Sequence, residues 1–302
     1  MKRKIIQLAG KTLVVSIPSA LAKKYALLKG QEIEVEEQDS KIVINLGNNT
    51  SIEKKSIKIS GMSEMLGRVV GALYKAGYDE IEIEFSSSDE LKEIQRTFNR
   101  TCIGFEIVRQ GDTSLTTRGI SKLEPEQFET VLRRLFLFLL TSADDSLKSA
   151  SPLNIDGLKN IKIRDDNLNK FADFCRRVIN KNGYPGFKRT APIYFIAEEL
   201  EKIGDSYKYL AEHLAENKTV LNKRILKVYE DINSLLRDFY ELFYSFNLMK
   251  FEEFGKTKKK IEIELEDQMK LAKKDEVIVL SYLNNILNQI FDMNGSLITA
   301  FI

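Results

Sequence analysis

The sequence predicts a multidomain chain in three parts: a small all-β N-terminal module, a small α+β module, and a C-terminal all-α region of two three-helix bundles. Three observations predict it. Over residues 1–46 apolar and polar residues alternate in short runs broken by glycines. The polar stretch GNNTSIEKK at 47–55 reads as a linker. Beyond Lys122 strand signals vanish and helical periods continue to the C-terminus. The domains this defines are 1–48, 56–121, 122–217 and 218–302.

The chain has 302 residues, 43% hydrophobic and 30% charged, which supplies several cores and excludes disorder as the dominant state. Lys+Arg 46 against Asp+Glu 44 leaves a net charge of +2, so any basic site must be local. Cys102 and Cys175 make neither a disulfide framework nor a paired thiol metal site, and a reducing cytoplasm is expected. The longest apolar run, LFLFLL at 135–140, falls well short of the roughly 20 residues of a spanning helix. The opening MKRKIIQLAGK lacks an apolar h-region, so neither a membrane span nor export is expected.

In the first module the runs are KIIQL, a turn at Ala9-Gly10-Lys11, TLVVSI, a short helix SALAKKYAL, Gly30, EIEVEE and KIVINL, giving four short strands around one helical turn. So short a module rarely buries a stable core unaided, and with no metal or disulfide to staple it a homodimer is expected. Its charge is segregated. Lys2, Arg3, Lys4, Lys11, Lys23, Lys24 and Lys29 occur without an acid, and Glu32, Glu34, Glu36 and Glu37 follow at once. Pairing doubles the basic patch, which suits phosphates of a DNA duplex. Lys2, Arg3, Lys4 and Lys11 are the candidate DNA-binding residues, with Arg3 and Lys11 best placed to reach base edges. The bland alternative is that strand-end lysines protect exposed sheet edges.

The α+β module reads as a strand SIKIS, a helix MSEMLGRVVGALYKAGY, a strand EIEIEF, a helix DELKEIQRTFNR and a strand GFEIVRQ, ending near Ile120. Met65, Leu66, Val69, Val70 and Leu73 share one helix face, whereas Ile81, Ile83 and Phe85 alternate. Six helices follow, over 124–150, 164–182, 190–217, 219–247, 250–274 and 276–302. Their breaks are Ser151-Pro152, Gly183-Tyr184-Pro185-Gly186, Asn217, Gly255 and Lys274-Asp275. Leu200, Glu201, Ile203 and Asp205 recur 87 residues later as Leu287, Asn288, Ile290 and Asp292, and Asp144 maps to Asp231. Two bundles related by duplication are expected.

The third of these helices carries the chemistry. Ile196, Leu200, Ile203, Tyr207, Leu210 and Leu214 step by four and three as a packed seam, and Glu198, Glu201, Asp205 and Glu212 fall nearly opposite it on an outer face. Glu201 and Asp205, one turn apart, are close enough to bridge a hard cation through oxygen. Glu198, Glu201 and Asp205 are therefore candidate ligands for iron, manganese, magnesium or calcium. The alternative is a solvated face with Lys202 and Lys208 as counter-charges. The equivalent face of the second half carries Ser281, Asn285, Asn288 and Asp292, so a second site is not expected. Asp144, Asp145, Glu230, Asp231 and Asp238 lie on the first helices of the bundles, where their facing is not legible.

The run GKTLVVSIPSALAKKYALLKGQEIEV, with Gly10, Ile17, Pro18, Leu28, Gly30, Ile33 and Val35 in place, resembles the SpoVT-AbrB domain. That resemblance covers about 45 residues and implies an intertwined, swapped-hairpin β-barrel dimer that binds DNA; the usual acid after the second glycine is Gln31. The C-terminal helices resemble the PhoU family of phosphate-uptake regulators through Leu200-Glu201-Lys202-Ile203-Gly204-Asp205, which implies two three-helix bundles and surface sites for iron or other metals. The second copy lacks the first carboxylate, at Asn288. The order of parts looks like archaeal PhoU-related regulators.

His213 is read as a surface polar residue, Cys102 and Cys175 as buried thiols, and Lys256 to Lys260 as a solvated helix face. No nucleophile triad or phosphate-cradling loop can be assembled, so no enzyme is expected. The expectation is a dimeric DNA-binding regulator of phosphate uptake whose helices sense phosphate status or metal. The alternative is an adaptor that docks on a phosphate transporter or signalling kinase without touching DNA.

Overall fold

The computed structural model describes residues 2–38, 41–45, 52–120, 125–183 and 190–302. The chain divides into two compact units, Met1–Glu53 and Lys54–Ile302. The linker read at 47–55 begins outside the described residues, and its last two positions, Lys54 and Lys55, already belong to a strand.

The first unit holds two hairpins and a short helix. Strand β1 (Ile5–Leu8) pairs antiparallel with β2 (Thr12–Val15), Ile5 opposite Val15 and Gln7 opposite Leu13. Positive φ at Ala9 (48°) and Gly10 (76°) turns the chain between them, a conformation that glycine adopts without strain. Helix α1 (Ser19–Lys24) follows, then the pair β3 (Glu34–Gln38) and β4 (Lys41–Asn45), with Val35 opposite Ile44. The two hairpins are separate two-stranded sheets.

The second unit opens with β5 (Lys54–Lys58), α2 (Leu66–Lys75), β6 (Glu80–Glu84), α3 (Ser88–Thr101), β7 (Phe105–Gln110) and β8 (Ser114–Gly119). The sheet order is β5-β6-β8-β7, with β5 and β6 parallel and the other pairs antiparallel. The sequence reading has no strand beyond Gln110. Its omission, β8, lies at the centre of the sheet, because Leu115 and Thr117 face the same core as Ile81 and Ile83 while Arg118 faces outward to Glu80. Leu66, Val70, Tyr74, Ile94 and Phe98 from the two helices cover that core. A capping box on Ser87 and Glu90 starts α3, and the Glu90 carboxylate also accepts from the amides of Gly61 and Ser86, both at 2.6 Å.

The helical region comprises α4 (Pro125–Ala150), α5 (Ile155–Asn182), α6 (Thr190–Asn217), α7 (Lys223–Tyr244), α8 (Leu248–Leu271), α9 (Lys274–Asp292) and α10 (Asn294–Phe301). Residues 121–124 and 184–189, which include the expected start of the first helix and most of the Gly183-Tyr184-Pro185-Gly186 turn, lie outside the described residues. Apart from shifts of a few residues at the ends of α7 and α8, three features differ from the sequence reading. Helix α5 begins nine residues earlier, at Ile155 rather than 164, because the Asn154 side chain caps it by accepting from the Gly157 amide at 3.0 Å. Gly255 does not end a helix; α8 runs through it. The last helix breaks at Met293, which separates α9 from α10.

Helices α4, α5 and α6 pack mutually, as do α7, α8 and α9, and α6 meets α9 while α4 meets α7. Those are the helices that the 87-residue offset equates. The LFLFLL run supplies Leu135, Phe136, Leu139 and Leu140 to one apolar cluster that continues through both halves. Polar ties cross it: the Tyr207 hydroxyl donates to Asn233 Oδ1 at 2.7 Å, and Asn233 Nδ2 donates to the Ala143 carbonyl at 2.8 Å.

The α+β part is seated on α5. The Arg177 guanidinium, buried, stacks 4.7 Å from the Phe105 ring and 5.0 Å from Tyr74 and donates to the Tyr74 carbonyl at 2.7 Å. Lys181 pairs with Asp79. Gly77, at φ +99°, lies so close to α5 that a Cβ there would stand 3.1 Å from Lys181 Cβ.

Candidate functional site

Two regions carry the chemistry singled out in the sequence, one in each unit. In the first unit Lys2, Arg3 and Lys4 lie just before β1, and Lys11 lies in the turn between β1 and β2; all four are exposed. The hairpin separates them. At about 3.3 Å per residue, four strand residues put Lys11 roughly 13 Å or more from Lys4, at the other end of the ribbon. Lys23 and Lys24 end α1, with Lys24 set 5.1 Å from the Tyr25 ring.

The surface behind these cations is apolar. No residue of the first unit whose burial is described is buried: Ile5 and Leu13 are each 66% exposed and Ile42 is 74% exposed. The register puts Ile5, Leu13 and Val15 on one face of the β1–β2 ribbon and Ile6, Leu8 and Val14 on the other. A hairpin apolar on both faces is marginal in water at best. Covering each such side chain is worth about 1.5–3 kcal/mol.

The second region is the acidic stripe of α6. It is not an open outer face along its length: α5 packs against it at Glu201, Asp205 and Glu212, whereas Glu198 pairs within α6. Glu201, 22% exposed, lies 3.6 Å from the Arg176 guanidinium of α5. Asp205 is bonded to Lys208, whose ammonium also donates to Asp165 of α5 at 2.9 Å. Glu212 pairs with Lys162 of α5 at 2.7 Å, and Glu198 pairs with Lys202 at 3.4 Å. The ion pairs extend further: Arg176 donates to Asp173 at 2.6 Å, and Asp173 meets Lys75 of α2 at 3.3 Å. Glu201 is thereby linked, through Arg176 and Asp173, to the α+β part.

Burial pushes the Glu201 carboxyl above the usual carboxylate range, against the attraction of Arg176. Burial likewise raises Asp165, against its hydrogen bond from Lys208. For Lys208 burial opposes the charge, but the bonds to Asp205 and Asp165 outweigh it and the ammonium is held well above its ordinary value.

Sequence reasoning missed the α5 half of this network. Its signal was legible as Asp165, Asn169 and Asp173, spaced every four residues on one helix face. The acids of the other helices are engaged separately: Asp144 with Arg237, Asp145 with Arg164, and Glu230 and Asp231 with Lys227. In α9, Asn285 donates to Ser206 of α6 at 2.9 Å, whereas Asn288 and Asp292 are exposed.

Among the described residues no group of three or more His, Cys, Asp or Glu side chains is arranged to hold a metal ion. The donor set as it stands does not fit a divalent ion, because the Lys208 ammonium occupies the space between Asp165 and Asp205. No protein-family model, curated protein or solved structure matches this chain.

The side chains set aside in the sequence also have places. The Asn217 amide lies 3.1 Å from His213 Nδ1. Cys102 and Cys175 are buried, and burial pushes the Cys102 thiol up to about 12, which makes it a poor nucleophile. Lys256 pairs with Glu253 on the surface of α8, whereas Lys258, 12% exposed, pairs with Glu262 and lies 4.9 Å from the Phe291 ring of α9. Among the described residues no helix is long and apolar enough to cross a membrane.

Proposed function

We propose that the chain is a dimeric DNA-binding regulator that acts by binding rather than by catalysis. One observation carries this: the opening unit is basic and free of acid through its first 30 residues, yet none of its residues whose burial is described is buried. Two copies that cover each other's hairpin faces gain a core and bring two sets of Lys2, Arg3, Lys4 and Lys11 into one assembly. The ammonium groups then meet duplex phosphates, releasing counterions, and Arg3 supplies the fork that reads guanine edges. The link to phosphate uptake rests on the resemblance of Leu200 to Asp205 to the PhoU family, and the helical unit is assigned the sensing of phosphate status.

A gel shift against the DNA upstream of its own coding sequence, at two salt concentrations, tests the reading. Binding that weakens with salt and vanishes when Lys2, Arg3, Lys4 and Lys11 are changed to Ala supports it. Absence of binding at both salts refutes it in favour of the adaptor reading. That second reading draws on a specific patch: Leu248 and Met249 at the α7–α8 turn and Ile302 are exposed, beside the Phe246 and Phe301 rings stacked at 6.0 Å. Such a surface suits contact with another protein, here a phosphate transporter or signalling kinase.

A further inference from the structure

Asp165, Asn169 and Asp173 recur every four residues along α5, and Glu201 and Asp205 keep the same spacing on α6. Oxygen donors on two packed helices are the material from which hard-cation sites are made. Two cations of the chain itself stand in that space. Lys208, only 15% exposed, bridges Asp165 and Asp205. Arg176, 8% exposed, bridges Asp173 and Glu201. Lys75 adds a third positive charge at Asp173, so four carboxylates are met by three cations.

We infer that Lys208 and Arg176 are the resident cations of this acidic motif, taking the place of metal, so that the α5–α6 seam closes without iron or any other metal ion. The inference is independent of the DNA contact proposed above. Two details give it content. Asp165 Oδ1 and Asn169 Oδ1 are buried without a hydrogen-bond partner among the described residues, so removing the ammonium leaves a set of oxygens with nothing cationic among them. Gly204 lets the helices approach at this point: a Cβ would come within 2.7 Å of Leu168 Cδ1 and 3.9 Å of Asp165 Oδ1. An ammonium has fixed charge and a covalent tether, so this seam ignores metal supply, and its continuation through Asp173 to Lys75 ties the α+β part to the same lock.

The test uses the full chain, purified with iron(II) and manganese(II) present throughout. Elemental analysis is expected to find far less than one metal per chain, and chelation by EDTA is expected to leave the melting temperature unchanged. Calorimetric titration of Lys208→Met with manganese(II) is expected to show saturable binding at least tenfold tighter than the wild type, lost again when Asp165→Asn and Asp205→Asn are added. A full metal equivalent in the wild type that Glu201→Gln with Asp205→Asn removes would overturn the inference, as would a fall in melting temperature with EDTA. Lys208→Met that folds but gains no manganese affinity overturns the substitution claim. Should that variant not fold, the wild-type metal content and EDTA response decide.

Discussion

Changing Lys11 to Ala isolates the electrostatic part of the proposed DNA contact, because Lys11 is exposed in a turn and holds no strand in place. Lys2, Lys4 and Lys11 have no ion-pair partner among the described residues, so each is available to a phosphate. Two copies then supply about six phosphate contacts, and the logarithm of affinity falls with the logarithm of salt at a slope of about −5. Removing Lys11 from both copies takes the slope to about −3.6. Between 50 and 200 mM salt the wild type should lose about a thousandfold in affinity and the variant only about a hundredfold. Fluorescence anisotropy with a labelled duplex over that range measures both slopes, and Lys159→Ala in α5 serves as the control. An unchanged slope for Lys11→Ala, or a wild-type slope shallower than about −2, refutes the reasoning.

Ile42→Asp should convert a two-subunit species to single chains in sedimentation, since a carboxylate on a covered apolar face is unpaired there; a chain that works alone would tolerate it, Ile42 being exposed in the single chain. Asn154→Ala removes the cap of α5 and should cost about 1 kcal/mol, a fall of roughly 2–4 °C in the melting temperature of a unit this size. Glu90 governs an acid limb: hydrogen bonds from the Ser86 and Gly61 amides hold its carboxyl below the ordinary 4.5. Its folded-state pKa is depressed, so its contribution is present above 4.5 and lost as pH falls through the lower folded value. Glu90→Gln should flatten the melting-temperature profile below pH 4.5 and leave its shape near neutrality unchanged.

Local rules were enough for most elements. Alternation placed the four N-terminal strands, and the steps of three and four placed the seam of α6, whose Leu200, Ile203, Tyr207 and Leu210 are all buried. Where the reading stopped short, a side chain or a distant strand intervened. The α5 start was hidden because Ile155 to Ile163 carry mixed charges without a clean period, and one Asn154 side chain decides where the helix begins. Strand β8 was hidden because Ser-Leu-Thr-Thr holds little apolar signal, and only its neighbours β6 and β7 make it a central strand.

The covalent order of residues, taken alone, settled which faces of each helix and ribbon are apolar, where basic and acidic residues separate, and that the first unit is short of core. It could not say what lies against a face. Periodicity gives an angle about a helix's own axis, and that angle put Glu201 and Asp205 away from the α6 seam. Folding brought Arg176, sequence-distant on α5, against Glu201, and brought Asp165 to the Lys208 ammonium beside Asp205. Charge and burial act through space rather than along the chain, so the stripe became an ion-paired seam only when α5 packed over it.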